Sequence, residues 1–388
     1  MPALAPRLLQ LASETALDVL VRARALEARG RNVLHLEVGE PDFPTPPHIV
    51  EAGIRAIRDG HTRYGPPAGL PALREAIAEH LLERGVRAGP EQILVTPGAK
   101  PHVFYGILAT VAPGDEVILP DPGFPIYASM VRFCGGVPVP VGPDLPNGRA
   151  LNPDEVEAAI TPKTKLIIFN SPANPTGAGV PLEDLQRLAA LAERHDLWVM
   201  ADEIYRRITY GAPPPSIASL PGMAERTIIV DGFSKSYAMT GWRLGWGYYP
   251  EALAEHAVRL MINSNTCTAS FVQHAGLAAL TGPQEHVAAM VAEFRRRRDA
   301  LIPRLQEIPG IECHSPAGAF YAFPDVRKLP ISSRALADRL LEEEGVALLD
   351  GAGFGERGRG YLRLSFAASV GVVQAAAEAI GRVVGRLA

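Results

Sequence analysis

Five short apolar runs separated by helical patterns constrain the fold of this chain most strongly. The runs are ILVT (93–96), EVIL (116–119), KLIIF (165–169), LWVMA (197–201) and TIIV (227–230). Between the third and the fourth run, LEDLQRLAALAERH has the spacing of an amphipathic helix. Strands that alternate with helices in this way form a mostly parallel sheet with helices on both faces. We therefore predict one large α/β domain over residues 48–285.

The segments on either side of this region predict a second, smaller α+β domain. After residue 286 come a long helical pattern, strand candidates in AFYAF, GVALLD and GYLRLSF, and a final Ala-rich helix. Residues 14–29 also predict a helix. The stretch that follows, VLHLEVGEPDFPTPPH, is typical of a crossing between domains because its prolines forbid regular structure. We assign residues 1–47 and 286–388 to the smaller domain.

Charge and cysteine content exclude several classes of protein. The net charge of −4 gives no electrostatic footprint for nucleic acid or an acidic membrane, and no run approaches the length of a membrane span. The first 20 residues lack the pattern of a secretion signal. The three cysteines are widely spaced, which favours a cytoplasmic protein without a disulfide framework or a metal site. The basic run 295–298 predicts a solvated helix face or a domain contact.

Polar residues follow four of the predicted strands, and ligands bind outside the carboxyl ends of strands in open parallel sheets. The turn TPGAK leads into a helix whose first N–H groups suit a phosphate. The loop FNSPANPTG holds two asparagines that are equally compatible with Asx turns. Asp202 follows the apolar run LWVMA, so we expect it to be buried with a cationic or protonated partner. Lys235 lies among aromatic residues in GFSKSYAMTGWR, which predicts a partly desolvated, nucleophilic amine.

These four groups together suit a phosphorylated aldehyde held as a Schiff base. The turn and the cations would hold the phosphate, and the lysine would hold the aldehyde. The acid would keep a pyridine nitrogen protonated, so that the ring could withdraw electrons.

Five motifs carry a resemblance to a known family. In chain order they are TRYGPPAGLPALREAIA, SPANPTG, ADEIY, SKSYAMTGWRLG and YLRLSFAAS. From about residue 14 onward the chain resembles the pyridoxal-phosphate (PLP) aminotransferases of fold type I, most closely the bacterial aspartate aminotransferase subgroup. The resemblance implies a cytoplasmic homodimer with shared active sites. It also implies ping-pong transfer of the α-amino group of an L-amino acid to a 2-oxo acid.

The resemblance also implies roles for individual residues. Lys235 would form the Schiff base and then move the proton between Cα and the cofactor. Asp202 would pair with the pyridine nitrogen, and Tyr205 and Asn174 would donate to the phenolic oxygen. The phosphate would be held by the backbone amides of Gly98, Ala99 and Lys100 together with Ser234, Arg243 and, from the neighbouring subunit, Tyr64.

Three further residues complete the implied site. Phe124 would stack on the pyridine ring. Arg363 would fork onto the α-carboxylate of the substrate, which a lysine could not copy. Gly39 would bring its backbone against the same carboxylate.

Other functions remain as alternatives. GFGERG has the GxGxxG spacing of a dinucleotide-binding dehydrogenase, but the residues after it predict a strand rather than a helix. A non-catalytic sensor would need a DNA-binding module, which the sequence does not indicate. A β-lyase acting on sulfur amino acids, a decarboxylase or a racemase would use the same cofactor, and only the motif resemblance favours transamination.

The preferred side chain of the substrate is not fixed by the motifs. Arg22, Arg24 and Arg132 are candidates for a distal cation that would bind the side-chain carboxylate of a dicarboxylate substrate. The segments 261–271 and 318–323 are expected to shape the substrate pocket. Small, uncharged and aromatic amino acids remain as open as aspartate.

Overall fold

A computed structural model of the chain describes residues 4–11, 15–213 and 215–387. Its α-helices are α1 (Thr15–Glu27), α2 (Pro47–Arg58), α3 (Pro71–Leu82), α4 (Lys100–Thr110), α5 (Ile126–Phe133), α6 (Pro153–Ala159), α7 (Leu182–Arg194), α8 (Glu251–Ser264), α9 (Ser270–Thr281), α10 (Glu285–Gln306), α11 (Ser333–Glu344) and α12 (Val370–Gly385). Its strands are β1 (Leu34–His35), β2 (Ile93–Thr96), β3 (Glu116–Pro120), β4 (Val137–Val141), β5 (Thr164–Asn170), β6 (Trp198–Asp202), β7 (Thr227–Gly232), β8 (Gly245–Tyr248), β9 (Tyr321–Ala322), β10 (Val346–Ala347), β11 (Leu349–Asp350) and β12 (Leu362–Ser365).

The large sheet contains all five predicted strands. Its order is β2-β8-β7-β6-β5-β3-β4, and β8 alone runs antiparallel to its neighbours. The sequence did not predict β4 or β8. The run VPVPV of β4 contains two prolines, which are tolerated because this strand lies at the sheet edge. The mostly parallel α/β fold is confirmed.

Helices cover both faces of this sheet because successive strand residues point in opposite directions. In β5, Ile167 and Phe169 pack with residues of α6 and α7, whereas Leu166 and Ile168 pack with residues of α4, α5 and α8. Every one of these four side chains is buried. The unbroken apolar run that predicted a parallel strand is therefore the consequence of burial on two faces.

The chain ends form a second group of elements. β1 pairs with β10, and β9, β11 and β12 form a small antiparallel sheet. α10, α11 and α12 pack against it around a separate apolar cluster. The helix predicted over residues 14–29 is present as α1, which spans Thr15–Glu27. Residue 14 lies outside the described residues. The domain boundaries at residues 47 and 285 stay a prediction.

The basic run of α10 contains both of the environments that were predicted as alternatives, a buried contact and a solvated helix face. Arg297 is buried and donates to both carboxylate oxygens of Asp42, at 2.6 and 3.0 Å. Arg296 is exposed and pairs with Glu293 on its own helix. Across the described ranges, no helix combines the length and the apolar character that crossing a membrane requires.

Candidate active site

A cavity of about 520 Å³ lies at the carboxyl ends of β5, β6 and β7. It brings together the predicted site residues except Gly98 and Tyr64: Gly39, Ala99, Lys100, Phe124, Asn174, Asp202, Tyr205, Ser234, Lys235, Arg243 and Arg363. Residues from both chain ends thus meet residues of the large sheet. The position agrees with the rule that ligands bind at this edge of a parallel sheet.

The Lys235 amine is held inside the cavity. Its Nζ donates to the carbonyl oxygen of Gly39 at 2.7 Å. Burial, together with the charges of Arg363, Arg243 and Lys100, lowers the pKa of this amine from 10.5 to about 8, although Glu40 opposes the shift. Near neutral pH the amine is therefore still mostly protonated, but far more of it is unprotonated and nucleophilic than in an exposed lysine.

Asp202 is buried at the end of β6, as the sequence predicted, and its partner is a protonated group, the hydroxyl of Tyr127, rather than a cation. The Tyr127 hydroxyl donates to Oδ2 of Asp202 at 2.5 Å, and the amide of Ile204 donates to Oδ1 at 3.2 Å. Burial raises the pKa of the Asp202 carboxyl from 3.8 to about 6, although the bond from Tyr127 lowers it. A cation placed in the cavity would favour the charged carboxylate.

The two asparagines of FNSPANPTG have different surroundings. Asn170 has the structural role that an Asx turn predicts: its Nδ2 donates to the Asp202 carbonyl and its Oδ1 accepts from the Asn174 amide at 2.7 Å. Within the described residues, Oδ1 of Asn174 is buried and has no hydrogen-bond partner. Because a buried polar atom without a partner is costly, the Asn174 amide is the one that suits a ligand.

The turn between β2 and α4 forms a narrow cradle. Gly98 has a left-handed φ of +84°, and a Cβ placed there would lie 2.2 Å from Nη2 of Arg243. Arg243 also has a left-handed φ, +54°, which is strained for a residue with a side chain. Its guanidinium therefore lies directly against the turn that leads into the N-terminus of α4.

Arg363 lies in β12 and reaches the cavity from the smaller sheet. It is buried, donates to the Glu37 carbonyl, and lies 4.7 Å from the ring centroid of Tyr321. The hydroxyl of Tyr321 shares a hydrogen bond of 2.7 Å with that of Tyr205. A Cβ at Gly39 would lie 2.1 Å from the same Tyr321 hydroxyl, so only glycine fits at that position.

A buried ionic network lies behind Asp202. Arg84 donates to Glu203 at 2.9 Å and to Asp231 at 2.6 Å, and its guanidinium lies 5.2 Å from the Trp246 ring centroid. Glu203 and Asp231 both raise the pKa of Asp202. Of the two expected kinds of partner, Glu203 thus has the cationic one, Arg84, and Asp202 has the protonated one, the Tyr127 hydroxyl.

Comparison with known proteins identifies the family. The model of the class I and II aminotransferases matches residues 31–380. The chain belongs to this family. It is a PLP-dependent aminotransferase that acts on amino acids and 2-oxo acids, and the relatives give no support to the lyase alternative.

Relatives with several different names are about equally similar to this aminotransferase. An aspartate aminotransferase of Geobacillus stearothermophilus is 39% identical over 388 residues, 98% of each chain. The arginine–pyruvate transaminase AruH of Pseudomonas aeruginosa is 40% identical over 350 residues, 90% of this chain and 89% of its own. The structure of the Thermus thermophilus aspartate aminotransferase with maleate has a TM-score of 0.94 at 39% identity, covering 99% of this chain and 100% of the other.

Several expected residues lie outside the cavity. Tyr64 is 87% exposed, and Gly98 lies beside Arg243 without lining the cavity. Arg22 pairs with Asp338 and Glu342 on the surface, and neither Arg24 nor Arg132 lines the cavity in the described chain. The segment 261–271 does not line it either, whereas Tyr321 of the segment 318–323 does.

Proposed function

We propose that this aminotransferase holds its cofactor with the residues that the motifs indicated. Two observations support the fit of PLP: the cradle at Gly98 that a Cβ would fill, and the buried, unpartnered Oδ1 of Asn174. Arg243 and the amides that begin α4 would hold the phosphate. Asp202 would pair with the ring nitrogen, Asn174 and Tyr205 would face the phenolic oxygen, and Phe124 would stack on the ring.

Lys235 is the proposed proton carrier. When bound, PLP supplies an aldehyde that takes up the amino group and a ring that withdraws electrons from Cα. Lys235 Nζ would take the proton from Cα and return it at the cofactor carbon. Its pKa of about 8 suits a base that must accept and release a proton near neutral pH.

Arg363 is the proposed ligand of the substrate α-carboxylate. Its guanidinium is held between the ring of Tyr321 at 4.7 Å and the ring of Phe354 at 5.4 Å. These contacts fix the planar fork in one orientation, which bidentate binding of a carboxylate requires. Gly39 leaves room beside it for the same carboxylate.

We further propose that the preferred amino acid is acidic. Four cationic side chains of the described residues line the cavity: those of Lys235, Arg243 and Arg363 have the roles given above, and the fourth is that of Lys100. Its Nζ lies 5.6 Å from the ring centroid of Phe124, the proposed stacking residue. An ammonium at that position would attract a second carboxylate on the substrate side chain, as the names of several relatives also suggest.

The apolar part of the wall favours a second substrate class. Side chains without polar atoms also line the cavity: Ala16, Leu17, Val38, Leu349 and Phe354. An aromatic amino acid would bury its ring against such a surface. Both classes are compatible with one pocket if Lys100 contacts only acidic side chains.

Replacing Lys100 by glutamine tests whether its ammonium binds acidic side chains and leaves aromatic ones unaffected. We expect kcat/KM to fall by about 10- to 100-fold for L-aspartate, since a charge-assisted hydrogen bond is lost, and to change little for L-phenylalanine. Lys163→Gln, at an exposed position, is the matched control. An equal loss with both amino acids would show that Lys100 does not read the side chain.

A cytoplasmic homodimer completes the proposal. Tyr64 and several other large apolar side chains are exposed in the single chain: Leu4 (71%), Leu9 (78%) and Ile262 (48%). Such exposure is typical of a surface that another subunit covers. Cys134, Cys267 and Cys313 are all free, which supports a reducing compartment.

A further inference from the structure

A second cavity, of about 690 Å³, lies away from the catalytic lysine. It is open to solvent and is bordered by the end of α3, the loop that follows β6, and the first half of α10. Four arginines from these three elements line it: Arg84, Arg206, Arg207 and Arg295. Among the residues that the structure describes, the two cavities share no lining residue, so this cavity is a separate place on the molecule.

The acids around this cavity neutralise only part of its positive charge. Glu203 and Asp231 bind Arg84 directly, and Glu203 lies 3.6 Å from Nε of Arg206. Glu83 also lines the cavity, but its side chain is 75% exposed and contacts His80. The charges of the inner arginines are therefore balanced by acids, and those of the outer two are not.

The outer arginines, Arg207 and Arg295, donate to neutral groups. Arg207 donates to the Tyr237 hydroxyl and, at 2.7 Å, to Oε1 of Gln284, whereas Arg295 donates to the Tyr210 carbonyl at 2.6 Å. Among the ion pairs of the described residues, none includes either of them. Both guanidiniums therefore retain donors and full charge for an anion.

His80 responds to the same excess of positive charge. Its Nε2 lies 2.8 Å from Nη2 of Arg84, so this ring nitrogen accepts and the ring is neutral. Burial, and then the charges of Arg84, Arg207 and Arg206, lower the pKa of His80 from 6.5 to about 2. Burial of the ring, and secondly the positive charge of these arginines, therefore oppose protonation of His80.

We propose that this cavity is an additional anion-binding site outside the active site, for a phosphate-type oxyanion that carries two negative charges. Arginines approach it from three elements, and a tetrahedral phosphate presents oxygen atoms in several directions. A carboxylate presents only two oxygens in one plane and would engage fewer of these guanidiniums. The site is distinct from the one proposed for the cofactor phosphate at Arg243.

Calorimetric titration of the PLP-loaded enzyme with inorganic phosphate tests the proposal. Bound PLP keeps free phosphate out of the cofactor site. We expect one phosphate per subunit in the unaltered enzyme, and binding at least about tenfold weaker in Arg295→Gln and in Arg207→Gln. The matched control is Arg296→Gln, which removes one charge from the neighbouring exposed position and should bind phosphate normally.

Two results would overturn the proposal. The first is unchanged phosphate affinity in both Arg295→Gln and Arg207→Gln, provided that both variants keep the PLP absorption of the unaltered enzyme. The second is loss of phosphate binding in Arg363→Lys alone, which would place the phosphate in the substrate site. Neither result bears on the proposed role of Lys100, because that role is tested by the choice of amino acid.

Discussion

Replacing Asp202 by asparagine should stabilise the cofactor-free protein while it destroys activity. The pKa of this buried carboxyl is raised from 3.8 to about 6, and each unit is worth about 1.4 kcal/mol. A raised carboxyl pKa gives stability that is present below pH 3.8 and is lost as the pH rises through 6. At pH 8 the buried charge therefore costs about 3 kcal/mol.

Asparagine removes this cost but loses one hydrogen bond. Its amide oxygen can accept from Tyr127, while its NH₂ group meets the donor amide of Ile204. Loss of that bond costs about 1 kcal/mol, which leaves a net gain of about 2 kcal/mol at pH 8. Since the charge of Asp202 is only partly developed at pH 5, the electrostatic part of the gain there should be about half as large.

Urea unfolding of the cofactor-free protein at pH 5 and pH 8 measures the difference. Asp196→Asn is the control, because that side chain is 97% exposed and its removal should change stability by less than about 0.5 kcal/mol. Added PLP should reverse the order of stability, since only a carboxylate can pair with a protonated ring nitrogen. A variant that is no more stable than the original protein at pH 8, or equally stabilised at both pH values, would refute the electrostatic reasoning.

Three further predictions concern the cradle, the lysine and the carboxylate fork. Gly98→Ala should weaken PLP binding by about tenfold or more in a fluorescence titration because its methyl group would displace Arg243, whereas Gly114→Ala, with similar φ and open space, should not. Uptake of PLP by the cofactor-free protein should accelerate as the pH rises to about 8, where Lys235 loses its proton; a flat profile would contradict this. Arg363→Lys should raise KM for every amino acid, and a loss confined to aspartate would be inconsistent with its role.

Much of the sheet could be predicted because its signal is local. The five predicted strands each carry an apolar run; Asp202 directly follows one of these runs, and Lys235 comes shortly after another. The partners of these residues carry no comparable signal. Tyr127 lies 75 positions from Asp202, and Arg84 lies 119 positions from Glu203. Only the folded chain brings such pairs together, so the sequence predicted that Asp202 needs a partner without identifying it.

The dependence on the folded chain also explains why the sequence did not locate the cation that would bind the substrate side chain. Arg22 is on the helix that reaches the cavity with Leu17, yet it points to Asp338 and Glu342 on the surface. Which face of a helix an arginine occupies relative to a cavity depends on how the helix packs. The sequence motifs imply a role for the backbone amide of Lys100 only. Its side chain is a candidate ligand of the substrate because Lys100 lines the cavity, which the sequence does not show.

A single-turnover experiment tests the central claim most directly. The PLP-loaded enzyme is mixed with L-aspartate in the absence of any acceptor, and the 2-oxo acid released per subunit is counted. Transamination with Lys235 as the proton carrier predicts one equivalent, a second only after 2-oxoglutarate is added, and none from Lys235→Ala. Release that continues without an acceptor, together with ammonia, or an undiminished yield from Lys235→Ala, would contradict the account.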